Sequence, residues 1–104
     1  MYVYLFLLFI HWSFKAKALL ATEKTNCIAD FCEESLDIAK KLRLVPKDQR
    51  GPFHGLPLSI KECYHVKGYD HTAGLAKEIN NPSLKDGSLV KVARLMLILK
   101  FLIQ

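Results

Sequence analysis

The chain has 104 residues, a length that allows one small domain or part of a larger one and excludes a second domain. Hydrophobic residues make up 51% of it and the mean hydropathy is +0.13, which excludes an intrinsically disordered segment. The formal net charge is +5 at pH 7, but the basic residues are scattered and do not interleave with aromatic ones. The one tight basic group, residues 40–43, follows acidic residues on a predicted helix and indicates a solvated helix end. We therefore expect no nucleic-acid partner.

The cysteines and histidines suggest neither a disulfide framework nor a metal site. Three cysteines are an odd number, and they lack framework spacing, at Cys27, Cys32 and Cys63. Reduced thiols are the better interpretation. The paired short spacing of zinc ligands is missing from the histidines in the turn-rich part of the chain, His54, His65 and His71. The sequence predicts no metal and no cofactor.

The first residues form a strongly apolar segment. Residues 1–14 carry no formal charge, and the first ten are continuously apolar or aromatic. This is too short to span a bilayer, which takes about 20 residues, but long enough for the apolar part of a signal peptide. No basic residue precedes the segment, and the faint cleavage site at residues 16–18 contains a lysine. A signal or anchor, a buried helix and sequence foreign to the parent fold remain open; we favour a helix that seeks membrane or core.

An amphipathic helix and a loop follow. Apolar residues recur at three- and four-residue steps from Ile28 to Leu42, which predicts a helix that Pro46 ends. Its start is open, near Ile28 or only near Glu33. The prolines and glycines of residues 46–57 predict a loop.

Residues 56–60 are short, apolar and bounded by turn residues, which predicts a buried strand with Lys61 and Glu62 at its C-terminal end. An ammonium removed from water loses much hydration energy unless it is paired or neutral. A neutral amine can take a proton from a hydroxyl, so Lys61 is a candidate general base for a serine nucleophile. Spacing alone favours the alternative that Lys61 emerges at the sheet edge and pairs with Glu62 or solvent.

The last third of the chain is predicted as a loop, a helix and an apolar tail. Glycines, asparagines and a proline punctuate residues 68–82. Asp86 is a candidate N-cap for a helix whose apolar face runs from Leu89 to Met96. Residues 96–104 are nearly all apolar and contain no stop signal; exposed, such a run would be sticky.

The middle of the chain resembles the amidase signature family. The resemblance is carried by Gly-Pro-Phe-His-Gly-Leu-Pro-Leu-Ser-Ile-Lys-Glu-Cys at residues 51–63, then Val-Lys-Gly at 66–68 and His-Thr-Ala-Gly-Leu at 71–75. In that family a Gly-x-Pro turn leads a strand to the catalytic lysine, and a Lys-Gly turn and a Thr-x-Gly loop follow. Glu-Cys after the lysine is closer to the fatty-acid amide hydrolase branch than to bacterial amidases, in which Asp-Asn is usual. The resemblance covers about residues 15–95 and makes them a partial amidase-signature domain, between the apolar segment 1–14 and the unmatched tail 96–104.

The resemblance implies an α/β fold, namely an N-terminal fragment of the amidase-signature fold with helices plus one or two strands of a mixed sheet. It also implies a Ser-cis-Ser-Lys triad. In that triad a neutral lysine draws a proton through a bridging serine from a nucleophilic serine, which attacks an amide carbonyl. Only the lysine maps, at Lys61. Ser59 should share a strand face with Lys61 but matches no catalytic serine of the family.

The family's Gly-Ser-rich segment, which supplies both serines, has no counterpart in residues 96–104. The resemblance therefore implies a truncated copy of a hydrolase of fatty-acid amides that lacks the catalytic serines and is inactive alone. The alternative is a small membrane-associated or interaction protein whose apolar ends dock on lipid or on a partner. The expected location is intracellular and membrane-associated, on endomembranes.

Overall fold

The computed structural model describes residues 2–95 and 99–103, which form three α-helices and a two-stranded parallel sheet. The sheet pairs β1 with β2 so that Pro57 lies opposite Leu99 and Lys61 opposite Ile103. The predicted combination of helices with one or two strands is confirmed. In chain order the elements are α1 (Tyr2–Thr25), α2 (Ser35–Leu42), β1 (Pro57–Lys61), α3 (Ser88–Leu95) and β2 (Leu99–Ile103), with 3-10 turns at Lys47–Gln49 and Ala76–Glu78.

Helix α1 continues past the apolar start and includes the charged residues that follow it. It ends where Asn26 adopts a left-handed backbone conformation with φ of 49° and donates its N–H to the Thr22 carbonyl, 2.8 Å away. Leu7 and His11, one turn apart, are buried. Within the described residues, no helix combines the length and the apolar content that crossing a bilayer needs.

Helix α2 is shorter than the periodicity predicts, and the start near Ile28 is wrong. The backbone N–H of Glu33 donates to the Tyr69 hydroxyl, 2.9 Å away, and that of Phe31 donates to the Asp30 carboxylate, 2.7 Å away. In a helix from Ile28 the Glu33 N–H would donate to the helix backbone, whereas here a side chain accepts it. The helix also ends four residues before Pro46, at Leu42.

Two small apolar clusters form the core of the described residues. The first joins α1 to α2 through Leu7, Ala39 and Leu42. The second joins β1, the following turn and α3 through Ile60, Val66 and Val90.

The turn before β1 packs directly against α1. Gly55 has φ of +80°, and a Cβ placed on it would lie 2.2 Å from Cδ2 of Leu7. Only a residue without a side chain fits this approach. Helix α1 thus rests on the turn that leads into the strand ending at Lys61.

Helix α3 begins at Ser88, so Gly87 rather than Asp86 precedes its first residue. The Asp86 carboxylate accepts the backbone N–H of Lys67 at 2.8 Å and also contacts the guanidinium of Arg94. It therefore ties the turn after β1 to the last turn of α3. The predicted apolar position Met96 lies outside the described residues.

The apolar tail, for which the sequence analysis predicts no element, contains strand β2. Strand β2 pairs with one edge of β1. The side chains of β2 are not among those that the structure describes, so the prediction that the tail would be sticky also lies outside the described part of the chain. In a continuous apolar run, periodicity does not distinguish a strand from a helix. The strand that pairs with β2, β1, also lies far away along the chain. Local pattern could not predict this pairing.

Acidification is expected to destabilise the packing of α1 and the turn before β1. Burial lowers the pKa of His11, with a smaller effect from Lys15. Burial and then Arg50 lower the pKa of His54, partly opposed by the nearby Leu42 backbone. The folded chain therefore binds these protons less readily than the unfolded chain, in which both histidines titrate near 6.5. The stability that the neutral histidines confer is complete above that pH and is lost as the pH falls through the lowered values.

The measurement is urea unfolding at pH ~8, ~6.5 and ~5, where the free energy of unfolding should fall stepwise. The double variant His11→Gln, His54→Gln should show a shallower pH dependence. A double variant with the same slope as the wild type would assign the effect to other groups.

Candidate active site

Lys61 is at the C-terminal end of β1, as predicted, and is its last residue. The strand begins and ends one residue later than the predicted range 56–60, and the Lys61 side chain is exposed. Ile60 is buried, and because side chains alternate along a strand, Lys61 faces the other way. The structure therefore agrees with the alternative that spacing favoured, in which Lys61 emerges into solvent, and the expectation that its ammonium is removed from water is wrong for this chain. Ser59 is exposed as well, which agrees with its predicted place on the same strand face.

Glu62 does not pair with Lys61 in an ion pair of the described region. Its carboxylate accepts two consecutive backbone N–H groups, that of Thr72 through one oxygen and that of Ala73 through the other at 3.0 Å. Gly74 in turn donates its N–H to the Thr72 hydroxyl at 3.2 Å. One carboxylate thus holds the Thr-Ala-Gly loop, residues 72–74, beside the end of β1.

An open cleft of about 980 Å³ lies between these elements. Lys61, Glu62 and Cys63 line it at the end of β1, and residues 72–74 line it from the loop. Glu33 and Glu34 line it from the segment that leads into α2. The candidate general base, Lys61, therefore lines a space that a small molecule can enter.

Tyr69 fixes another wall of the cleft. Its hydroxyl donates to the Glu34 carboxylate at 3.0 Å and accepts the N–H of Glu33 at 2.9 Å. The thiol of Cys32 donates to the same Glu34 oxygen at 2.9 Å. Burial raises the pKa of Tyr69, so the phenol stays protonated and remains a donor. These bonds join the start of α2 to the turn after β1.

Two of the histidines meet at a buried serine. The Ser83 hydroxyl lies 3.2 Å from Nδ1 of His65 and 2.9 Å from Nδ1 of His71. The backbone of Ser83 exchanges two hydrogen bonds with this region, to Gly68 and Tyr69, each 2.9 Å long. Across the part of the chain that the structure describes, no group of three or more potential ligand side chains could hold a metal ion. The hydrogen bonds of Ser83 therefore hold the end of the loop at residues 68–82 against its beginning.

Sequence reasoning identified Lys61 but missed Glu62 as a loop anchor and Tyr69 as a link to α2. The family resemblance indicates the Thr-x-Gly loop, but no local sequence pattern shows that a carboxylate ten residues earlier holds it. The partners of Tyr69 are 35 and 36 residues away along the chain. Such contacts leave no periodic signal in the sequence.

Comparison with known proteins gives consistent matches over this region. The family model described as Amidase matches residues 12–95. Amidase 1 of Gibberella moniliformis is 36% identical over 83 residues, which cover 76% of this chain and 16% of that protein. Fatty acid amide hydrolase 1 of Caenorhabditis elegans is 41% identical over 81 residues, covering 72% of this chain and 14% of that protein. Fatty-acid amide hydrolase 1 of Sus scrofa is 30% identical over 84 residues, covering 81% of this chain and 14% of that protein.

The chain spans only 14% to 16% of the length of these three relatives. The matched range nevertheless contains β1, the cleft and the loop held by Glu62. The family model and the individual relatives both indicate the family that the motif at residues 51–75 resembles. The chain belongs to the amidase family.

Proposed function

We propose that this chain carries the general base of a serine-dependent amide hydrolase, and that the base is Lys61. The observation that carries the proposal is that Lys61 lines the cleft, at the end of the strand that the family motif places before its lysine. The family match over residues 12–95 supports the reaction class, hydrolysis of a carbon–nitrogen bond in an amide.

Lys61 would act by moving a proton. A neutral amine accepts the proton of a serine hydroxyl as the oxygen attacks the amide carbonyl, and the proton then passes to the leaving amine. The C–N bond breaks, an acyl ester forms on the serine, and water hydrolyses that ester. Backbone N–H groups would hold the oxyanion.

The nucleophile is proposed to lie outside residues 1–104. Ser59 shares a strand face with Lys61 but corresponds to no nucleophile of the family motif. Ser83 is buried and bound by two histidines. This chain alone should therefore hydrolyse no amide.

Fatty-acid amides are the proposed substrate class. Two of the similar relatives are named as fatty-acid amide hydrolases. The Glu-Cys pair after Lys61 also resembles that branch. The cleft volume is at the upper end of the range of about 300 to 1,000 Å³ typical of small-molecule sites.

The test compares two substrates with two proteins. The product of the complete native gene is expected to hydrolyse a long-chain acyl amide with a higher kcat/KM than acetamide, measured by release of ammonia. Residues 1–104 alone are expected to release none. A preference for acetamide would remove the fatty-acid assignment, and Lys61-dependent turnover by residues 1–104 would show that the nucleophile is in this chain.

A second candidate, binding to a lipid surface, rests on the aromatic side chains of α1. Phe9, Trp12 and Phe14 are 70%, 55% and 51% exposed. The ammonium of Lys15 lies 5.7 Å from the Trp12 ring. Aromatic and basic side chains together suit the interface of an anionic membrane, and an endomembrane location belongs to this candidate.

Flotation with vesicles tests this candidate. The wild-type chain is expected to float with vesicles that contain anionic lipid, with a blue shift in the fluorescence of Trp12, its single tryptophan. The double variant Phe9→Asp, Phe14→Asp should stay in the lower fraction. Leu84→Asp, which changes a loop residue that is 90% exposed, should float like the wild type. Flotation of the double variant would exclude α1 as the binding surface.

A further inference from the structure

Glu62 differs from the other carboxylates of the cleft in what it binds. Both of its oxygens accept backbone N–H groups, and these belong to consecutive residues of one loop, Thr72 and Ala73. Two donors of one chain segment converge on one carboxylate, which fixes the loop in both position and orientation.

The loop that Glu62 holds needs such an anchor. Ala73 has φ of 49° and Gly74 has φ of 82°, so two consecutive residues are in the left-handed region. That region is unfavourable for an alanine, because its Cβ comes too close to the following carbonyl oxygen. A bond from the Ala73 N–H to the carboxylate offsets part of that cost and keeps the loop in this conformation.

The anchor also bears on the cleft. Lys61 and Glu62 are neighbours at the end of β1, and residues 72–74, which Glu62 holds, line the same cleft. A carboxylate held one residue after the base therefore fixes the distance between that base and the loop.

We propose that Glu62 is a positioning residue: it holds the Thr-Ala-Gly loop, residues 72–74, as the wall of the substrate cleft beside Lys61. The role in the cleft rests on the proposed function, whereas the loop contact is a property of this chain. Glu62 moves no proton in this assignment. It determines where the substrate lies relative to the amine of Lys61.

The contact is tested by hydrogen exchange of the amides of Thr72 and Ala73 in residues 1–104, measured by NMR. In Glu62→Ala both amides are expected to exchange about tenfold faster or more, since each loses a charge-assisted bond. Glu62→Gln keeps one acceptor oxygen and presents an amide donor to the second N–H, so one of the two amides should exchange faster. Glu78→Gln is the matched control, because Glu78 binds Asn81 outside the cleft. The Lys91 amide, bonded to the Gly87 carbonyl, reports whether the fold persists.

The role in the cleft is tested by kinetics of the complete native gene product. Glu62→Gln is expected to raise KM for the acyl amide and to leave the pH profile of kcat unchanged, because the wall moves and the base does not. A shift of that pH profile would mean that Glu62 acts on the charge of Lys61, which would overturn the assignment. Unchanged exchange of the Thr72 and Ala73 amides in both Glu62→Ala and Glu62→Gln, with the Lys91 amide still protected, would also overturn the assignment. A wild-type protein without turnover would overturn the proposed function, while the exchange rates would still decide the loop contact.

Discussion

Replacing Lys61 by alanine in the complete native gene product is expected to lower kcat for amide hydrolysis by about 10² to 10⁴, the usual range for loss of a general acid or base. KM should change little, because the amine acts on the proton of the nucleophile and not on the bound acyl chain. Rates measured under saturating and limiting substrate separate the two parameters.

Two further variants make this result specific to Lys61. Lys67→Ala removes an exposed lysine outside the cleft and is expected to keep wild-type turnover. Lys61→Arg keeps a positive charge, but a guanidinium cannot give up its proton in a protein, so activity should stay low. Wild-type turnover in Lys61→Ala, or recovery in Lys61→Arg, would refute the general-base role.

Gly55→Ala is expected to lower the free energy of unfolding by about 2 to 5 kcal/mol, from a left-handed alanine and an overpacked contact. The new methyl group would lie 2.2 Å from Cδ2 of Leu7, so the buried Leu7 side chain, α1 or the turn must move. A loss of this size is a large part of the stability of a chain this short. Chemical unfolding followed by circular dichroism measures it.

Gly68→Ala is the matched control for this prediction. Gly68 has φ of +84°, close to that of Gly55, but nothing lies within 4 Å of its Cβ position. Its substitution should show the backbone cost alone, about 1 to 2 kcal/mol. The double variant Leu7→Ala, Gly55→Ala should lose less than the sum of the single changes, because truncating Leu7 makes room. Equal losses in Gly55→Ala and Gly68→Ala would show that Leu7 yields freely.

The elements that sequence predicted well are those with local signals. Turn residues on both sides made β1 recognisable and placed Lys61 at its end, and the apolar spacing of α3 indicated a helix. Lys61 as a candidate base came from the family motif. The exposure of its side chain agrees with the alternative that spacing alone favoured, and it follows from alternation with buried Ile60 in a strand that buries one face.

The elements that sequence could not predict depend on distant partners. The segment before Ser35 is not helical, and the Glu33 N–H is bonded there to the hydroxyl of distant Tyr69. The Thr72 loop is shaped by Glu62, and β2 is a strand because β1 lies beside it. In each case a residue with ambiguous local preference adopts the conformation that its neighbour in space stabilises.

The parallel pairing of β1 with β2 has a consequence for synthesis on the ribosome. Along the chain, residues 62–98 separate the two strands, and they include the Thr-Ala-Gly loop and α3. At about 5 to 20 residues per second, β1 leaves the exit tunnel a few seconds before β2 does. During that interval the nascent chain presents an unsatisfied strand edge, which is the kind of surface that chaperones shield and that other nascent chains can join.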